Sequence, residues 1–131
     1  WNGGYNDAFQ GNNASLIISR IQSYIALVDA QRANYEIILA IQPMPVSDFA
    51  TQPVNYATTR NDVNTWLRNN RNLFDIYIDF SNDINIGTGA STSNSTYFLP
   101  DKIHLTQAGY AIVANYCKSL LMSTPISHNY K

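Results

Sequence analysis

Asp101 and His104 set a carboxylate close before an imidazole, a combination suited to moving a proton. With the carboxylate three positions before the imidazole, one turn of backbone can bring it to Nδ1. That contact fixes the tautomer and leaves Nε2 free to take a proton from a nucleophile. The pair supplies two thirds of a hydrolytic triad. The same spacing also serves a helix start or two metal ligands, so the flanking residues have to decide.

Those flanks read Asp101-Lys-Ile-His104-Leu-Thr-Gln-Ala-Gly109-Tyr110 and run into an amphipathic helix. This block resembles the last signature block of the SGNH hydrolases, the GDSL esterase and lipase family, in which the Asp orients the catalytic His. A second block, Gly3-Gly4-Tyr5-Asn6-Asp7, looks like the family's Gly-x-Asn-Asp. There the Asn amide donates a hydrogen bond into the oxyanion hole, a role the resemblance transfers to Asn6. Removal of such a donor costs about 3 to 4 kcal/mol of barrier. No serine of this chain follows a Gly-Asp, so the family's nucleophile block and its second oxyanion donor are both missing.

The resemblance implies a serine esterase acting on a small-acyl ester, with O-acetyl groups on carbohydrate ahead of other short-chain esters. His104 would be general base and then acid, Asp101 its orienter and Asn6 an oxyanion donor. No cofactor and no metal is needed. The serine would come from a polypeptide that supplies the N-terminal part of the domain, either a missing segment or a partner chain. Two other readings stand beside this one. A metal-dependent hydrolase would use Asp101 and His104 as ligands, but it needs a third, and His128 in the tail is the only other imidazole. A catalytically inactive module used for binding or assembly would explain the absent serine but not the retention of Asn6, Asp101 and His104.

Elements must hold these residues in place, and the apolar pattern supplies them. Asn12 or Asn13 can cap a helix reaching about residue 35, with Ile17, Ile21, Tyr24, Ile25 and Val28 on one stripe. Residues 37–41 form a continuous apolar run expected to be a strand covered on both faces. A Pro-containing connector spans residues 46–53. Tyr56, Val63, Trp66 and Leu67 mark a second helix that ends near residues 69–72. Residues 73–80 read as the next strand, with Phe74, Ile76, Ile78 and Phe80 on one face and Asp75, Tyr77 and Asp79 on the other. After a polar loop over residues 81–96, a final helix is expected from about Thr106, burying Ile112, Val113, Tyr116, Cys117 and Leu120.

Alternating helix and strand argues for parallel pairing by right-handed crossovers. The resemblance implies a flavodoxin-like three-layer α/β/α sandwich of strand order 2-1-3-4-5. Residues 1–131 would be the C-terminal portion of that single domain.

Composition sets the outer bounds. At 131 residues, 45% hydrophobic and 12% aromatic, the chain can fill one ordinary core. Eight basic and nine acidic residues lie scattered without runs and give a net charge of −1, so nucleic acid and polyanions are not expected partners. No apolar run reaches the roughly 18 residues of a membrane span. With Cys117 the sole cysteine, no disulfide can close within the chain.

Overall fold

The computed structural model describes residues 4–32, 40–41 and 52–123. Within them the order is α1 (Tyr5–Phe9), α2 (Ala14–Gln31), β1 (Ala40–Ile41), α3 (Tyr56–Asn69), a 3₁₀ turn (Arg71–Leu73), β2 (Ile76–Tyr77), a second 3₁₀ turn (Gly89–Ser93) and α4 (Gln107–Ser123). Most of the strand expected over 37–41, most of the connector at 46–53, Gly3 and His128 lie outside the described residues.

The expected parallel-sheet sandwich is corrected by this architecture. The described residues are mostly helical, 61% helix against 4% strand. Among the described residues the sole strand pairing is a two-residue parallel match, Ala40 with Ile76 and Ile41 with Tyr77. Two residues a side are too few for a sheet to stand as a layer of its own. Of the strand expected over 73–80, Leu73 is taken by the 3₁₀ turn, and among the described residues only Ile76 and Tyr77 have a strand partner. Alternation correctly identified the buried side chains there. It did not say what buries them, and helices do so.

Helix α2 forms for the reasons its sequence gives. The Asn13 side chain accepts from the Leu16 amide at 2.9 Å, capping the first turn. Ile17, Ile21, Ile25 and Val28, at steps of four, four and three, are buried. They meet Tyr56, Val63 and Leu67 of α3, together with Ala8 of α1 and Phe74, in one core. A second core gathers Ile76, Ile78, Phe80, Ile86 and Phe98, and α4 lays Ile112, Val113, Tyr116, Cys117 and Leu120 on it. That stripe of α4 was expected to be buried and is only half buried.

The segment between the cores is tied sideways by charge. Arg32, the residue that caps the C-terminus of α2, pairs with Asp75, and Arg68 of α3 reaches Asp79 at 3.1 Å and Ser81 Oγ at 3.0 Å. Burial by itself would raise the Asp79 pKa, but the hydrogen bonds from Ser81 and Arg68 outweigh it and the net shift is downward. Asp75 and Asp79, left without a role by the sequence, are structural anchors of α2 and α3. Asp7 pairs with Arg20 of α2 and holds α1 against it.

Gly109 in the first turn of α4 has a packing reason. A Cβ there would press into the Tyr97 carbonyl oxygen and the Leu105 side chain. Gly109→Ala is therefore expected to destabilise the chain by about 1 to 3 kcal/mol, the usual cost of overpacking, read as a lower urea midpoint at unchanged slope. An unchanged midpoint would mean that α4 does not sit so close to residue 97.

Candidate functional site

The loop that carries Asp101 and His104 is pinned at both ends. The Leu99 amide donates to the His104 carbonyl at 2.8 Å and the Thr106 amide to the Tyr97 carbonyl at 2.9 Å, with Phe98 bridging Leu105 in antiparallel fashion. Thr106 Oγ1 donates to the Thr96 carbonyl at 2.6 Å and accepts from the Gly109 amide at 3.3 Å, fixing the start of α4 to the same loop. At the tip Lys102 takes a positive φ of 57°, unusual for a residue with a side chain. The reversal brings the next two amides round to Asp101.

Asp101 uses both of its oxygens. Oδ1 accepts from the amides of Ile103 and His104, each at 3.0 Å, and Oδ2 faces His104 Nδ1 at 2.7 Å. The carboxylate thus holds backbone and imidazole together. The His104 side-chain contact, then the two amides, keep the Asp101 pKa at about 2, below its ordinary 3.8. Because the folded value is depressed, whatever Asp101 contributes to stability is present above 3.8 and lost as pH falls through about 2. A ¹³C titration of the Asp101 carboxyl is expected to show a midpoint near 2 that moves up in His104→Ala. A wild-type midpoint at 3.8 would mean that the contact does not persist in solution.

Asn6 arrives from the other end of the described chain. Gly4, at φ 90°, turns the backbone through the left-handed region that only glycine enters freely, and α1 begins at Tyr5. Asn6 therefore sits in the first turn of a short helix. Tyr5 packs edge-on against Tyr56 of α3, their ring centres 5.6 Å apart, which anchors α1.

Asn6 and His104 line one cleft of about 400 Å³, between α1 on one side and the loop with α4 on the other. The structure thus bonds Asp101 to His104 and places Asn6 in the lining of the cleft that His104 also lines. Among the described residues no hydrogen bond engages His104 Nε2 or the Asn6 amide, so both can meet a ligand. The dyad is open to solvent, with the His104 side chain 63% and the Asp101 side chain 44% exposed. No serine is among the residues lining the cleft.

The walls contain residues that the sequence did not single out, namely Phe9, Phe80, Ile86, Phe98, Ile103, Tyr110 and Val113. Two of them, Phe80 and Val113, had already been placed on apolar faces of elements. Only tertiary packing shows that those faces meet at His104. Among the described residues no three His, Cys, Asp or Glu side chains cluster as a metal would require, and no helix is long and apolar enough to cross a membrane. Comparison with protein-family models, with curated proteins and with solved structures finds no match.

Proposed function

We propose that this chain carries the general-base half of a serine esterase site of the SGNH type, hydrolysing a carboxylic ester. The observation that supports the reading is the 2.7 Å Asp101–His104 contact beside a cleft that Asn6 also lines. Asp101 holds the proton of imidazole on Nδ1, so Nε2 presents its lone pair to the cleft. A serine hydroxyl delivered there loses its proton to Nε2 as its oxygen bonds the ester carbonyl carbon. His104 then returns that proton to the departing alcohol, and water repeats the sequence to release the acid. Asn6 donates to the carbonyl oxygen as it takes up negative charge.

The serine belongs to a polypeptide segment outside the cleft walls described above. Such a segment would also shield the dyad, whose electrostatic effect is weak while water surrounds it.

In enzyme completed with its serine, Asn6→Ala is expected to lower kcat by on the order of a hundredfold with a smaller change in KM, since the amide engages the oxygen mainly in the transition state. Chelators leave the rate unchanged. Activity that chelation removes and zinc restores would replace this mechanism with a metal-dependent one. A catalytically inactive binding module is the second reading, favoured by the lack of a serine in the cleft lining. It requires that no ester is turned over even when the serine-bearing segment is present.

A further inference from the structure

Asn6 and His104 belong to different parts of the molecule. Asn6 rides on α1, which shares the first core with α2 and α3, whereas the loop of His104 runs into α4, which packs on the second. How the two side chains stand to one another depends on what joins these parts. Residues 79–87 form one such join, and side chains pin it at both ends. Towards α3, Arg68 holds Asp79 at 3.1 Å and Ser81 Oγ at 3.0 Å. Towards α4, Asp83 Oδ2 accepts from Tyr116 Oη at 3.2 Å.

Asp83 also organises this segment from within. Its Oδ1 accepts from the amides of Asn85 and Ile86 at 2.8 and 3.2 Å, and its carbonyl accepts from the Gly87 amide at 2.8 Å. Its own amide donates to the Phe80 carbonyl at 3.0 Å. The loop closes so tightly that a Cβ at Gly87 would run into the Phe80 carbonyl oxygen. Phe80 and Ile86, 7% and 2% exposed, line the cleft, and so does Val113, three residues before Tyr116 on α4. One carboxylate thus joins the turn that carries Ile86 to the helix that carries Val113. A hydroxyl donating to a carboxylate is a charge-assisted bond, and this one is part-buried, where water competes less.

We infer that Asp83 is a positioning residue of the site. Through Tyr116 it clamps α4 and the His104 loop to the segment anchored on α3, and so fixes where His104 stands relative to Asn6. The inference rests on the esterase reading for what that placement serves, because a shift of about 1 Å in a reacting group can cost on the order of a hundredfold in rate. The clamp itself needs neither the serine nor turnover.

Tyr116→Phe tests it, since the hydroxyl is lost while the ring that packs on the second core is kept. In the ¹⁵N-labelled chain this variant is expected to move the Asn6 side-chain amide and the His104 ring nitrogens as well as the amides of Asn85 and Ile86. Shifts confined to residues 83–87 and the neighbours of Tyr116 would overturn the inference. In the completed enzyme the variant is expected to lower kcat by roughly tenfold with a smaller change in KM. A bond that served stability alone would lower the urea midpoint and leave kcat unchanged, which overturns it equally. Asp83→Asn keeps an oxygen for the two turn amides and an NH₂ group that can donate to Tyr116 Oη, so it is expected to retain the wild-type shifts at Asn6 and His104, whereas Asp83→Ala is not.

The two readings fail separately. Shifts at Asn6 and His104 in Tyr116→Phe, in an enzyme whose turnover ignores His104→Ala, would keep the clamp and remove the esterase mechanism. Turnover that needs His104 but is untouched by Tyr116→Phe would do the reverse.

Discussion

His104→Ala is expected to abolish nearly all turnover of an activated ester by the completed enzyme, lowering kcat by on the order of 10⁴-fold or more. The imidazole acts in both halves of the reaction. Without it the serine hydroxyl keeps its proton near neutral pH and attacks poorly, and water attacks the acyl-enzyme no better. KM should change little by comparison, because the apolar walls of the cleft stay in place. The fold should survive too, since the side chain is 63% exposed and the loop is held by the backbone bonds of Leu99 and Thr106. Steady-state kinetics with a circular-dichroism control checks both. A variant that keeps near-wild-type kcat would remove His104 from the mechanism.

Asp101→Asn is expected to cost on the order of 10³-fold in kcat, less than loss of the base. An Asn oxygen can still accept from the Ile103 and His104 amides, so the turn itself persists. Its NH₂ group then faces His104 Nδ1 at the position of Oδ2 and donates to it. That places the ring proton on Nε2, the nitrogen that should receive the serine proton, and the imidazolium loses its counter-charge. The effect is held below that of a fully buried orienter because Asp101 is 44% exposed and water competes for it. Asp101→Ala would remove the turn acceptor as well, and is expected to impair both stability and rate. If Asp101→Asn and wild type had equal kcat, the carboxylate would be a turn-former only.

Much of this site can be read in the sequence because its parts are local. Asp101 and His104 are three residues apart, so one reversal at Lys102 suffices to join them, and the spacing states that geometry directly. The caps and stripes of α2 and α3 are equally local, and Asn13, Ile17, Ile21, Val63 and Leu67 sit where periodicity expects them. The sheet is not local. An apolar run such as residues 73–80 records that its side chains are buried, but strand pairing depends on segments far away in the chain. Among the described residues the pairing covers Ile76 and Tyr77 alone, and α4 packs on the core of Ile76, Ile78 and Phe80. Helix α1 escaped notice for the opposite reason: five residues are too short to show a period, and Gly3-Gly4 argues for a turn. No pattern of residues in the chain implies that Asn6 and His104 share a cleft. Only the cleft shows the two side chains on one surface.

The most direct test of His104 as the base of a serine nucleophile is covalent trapping. The completed enzyme, exposed to a fluorophosphonate, is expected to take up one phosphonyl group on a serine, located by peptide mass spectrometry, as the serine oxygen bonds phosphorus and fluoride departs. The rate of that single event depends on proton removal by His104 and is independent of ester preference, so His104→Ala should label at least a thousandfold more slowly. Labelling of a serine at the same rate in wild type and His104→Ala, or no labelling of an enzyme that turns over ester, would contradict the assignment.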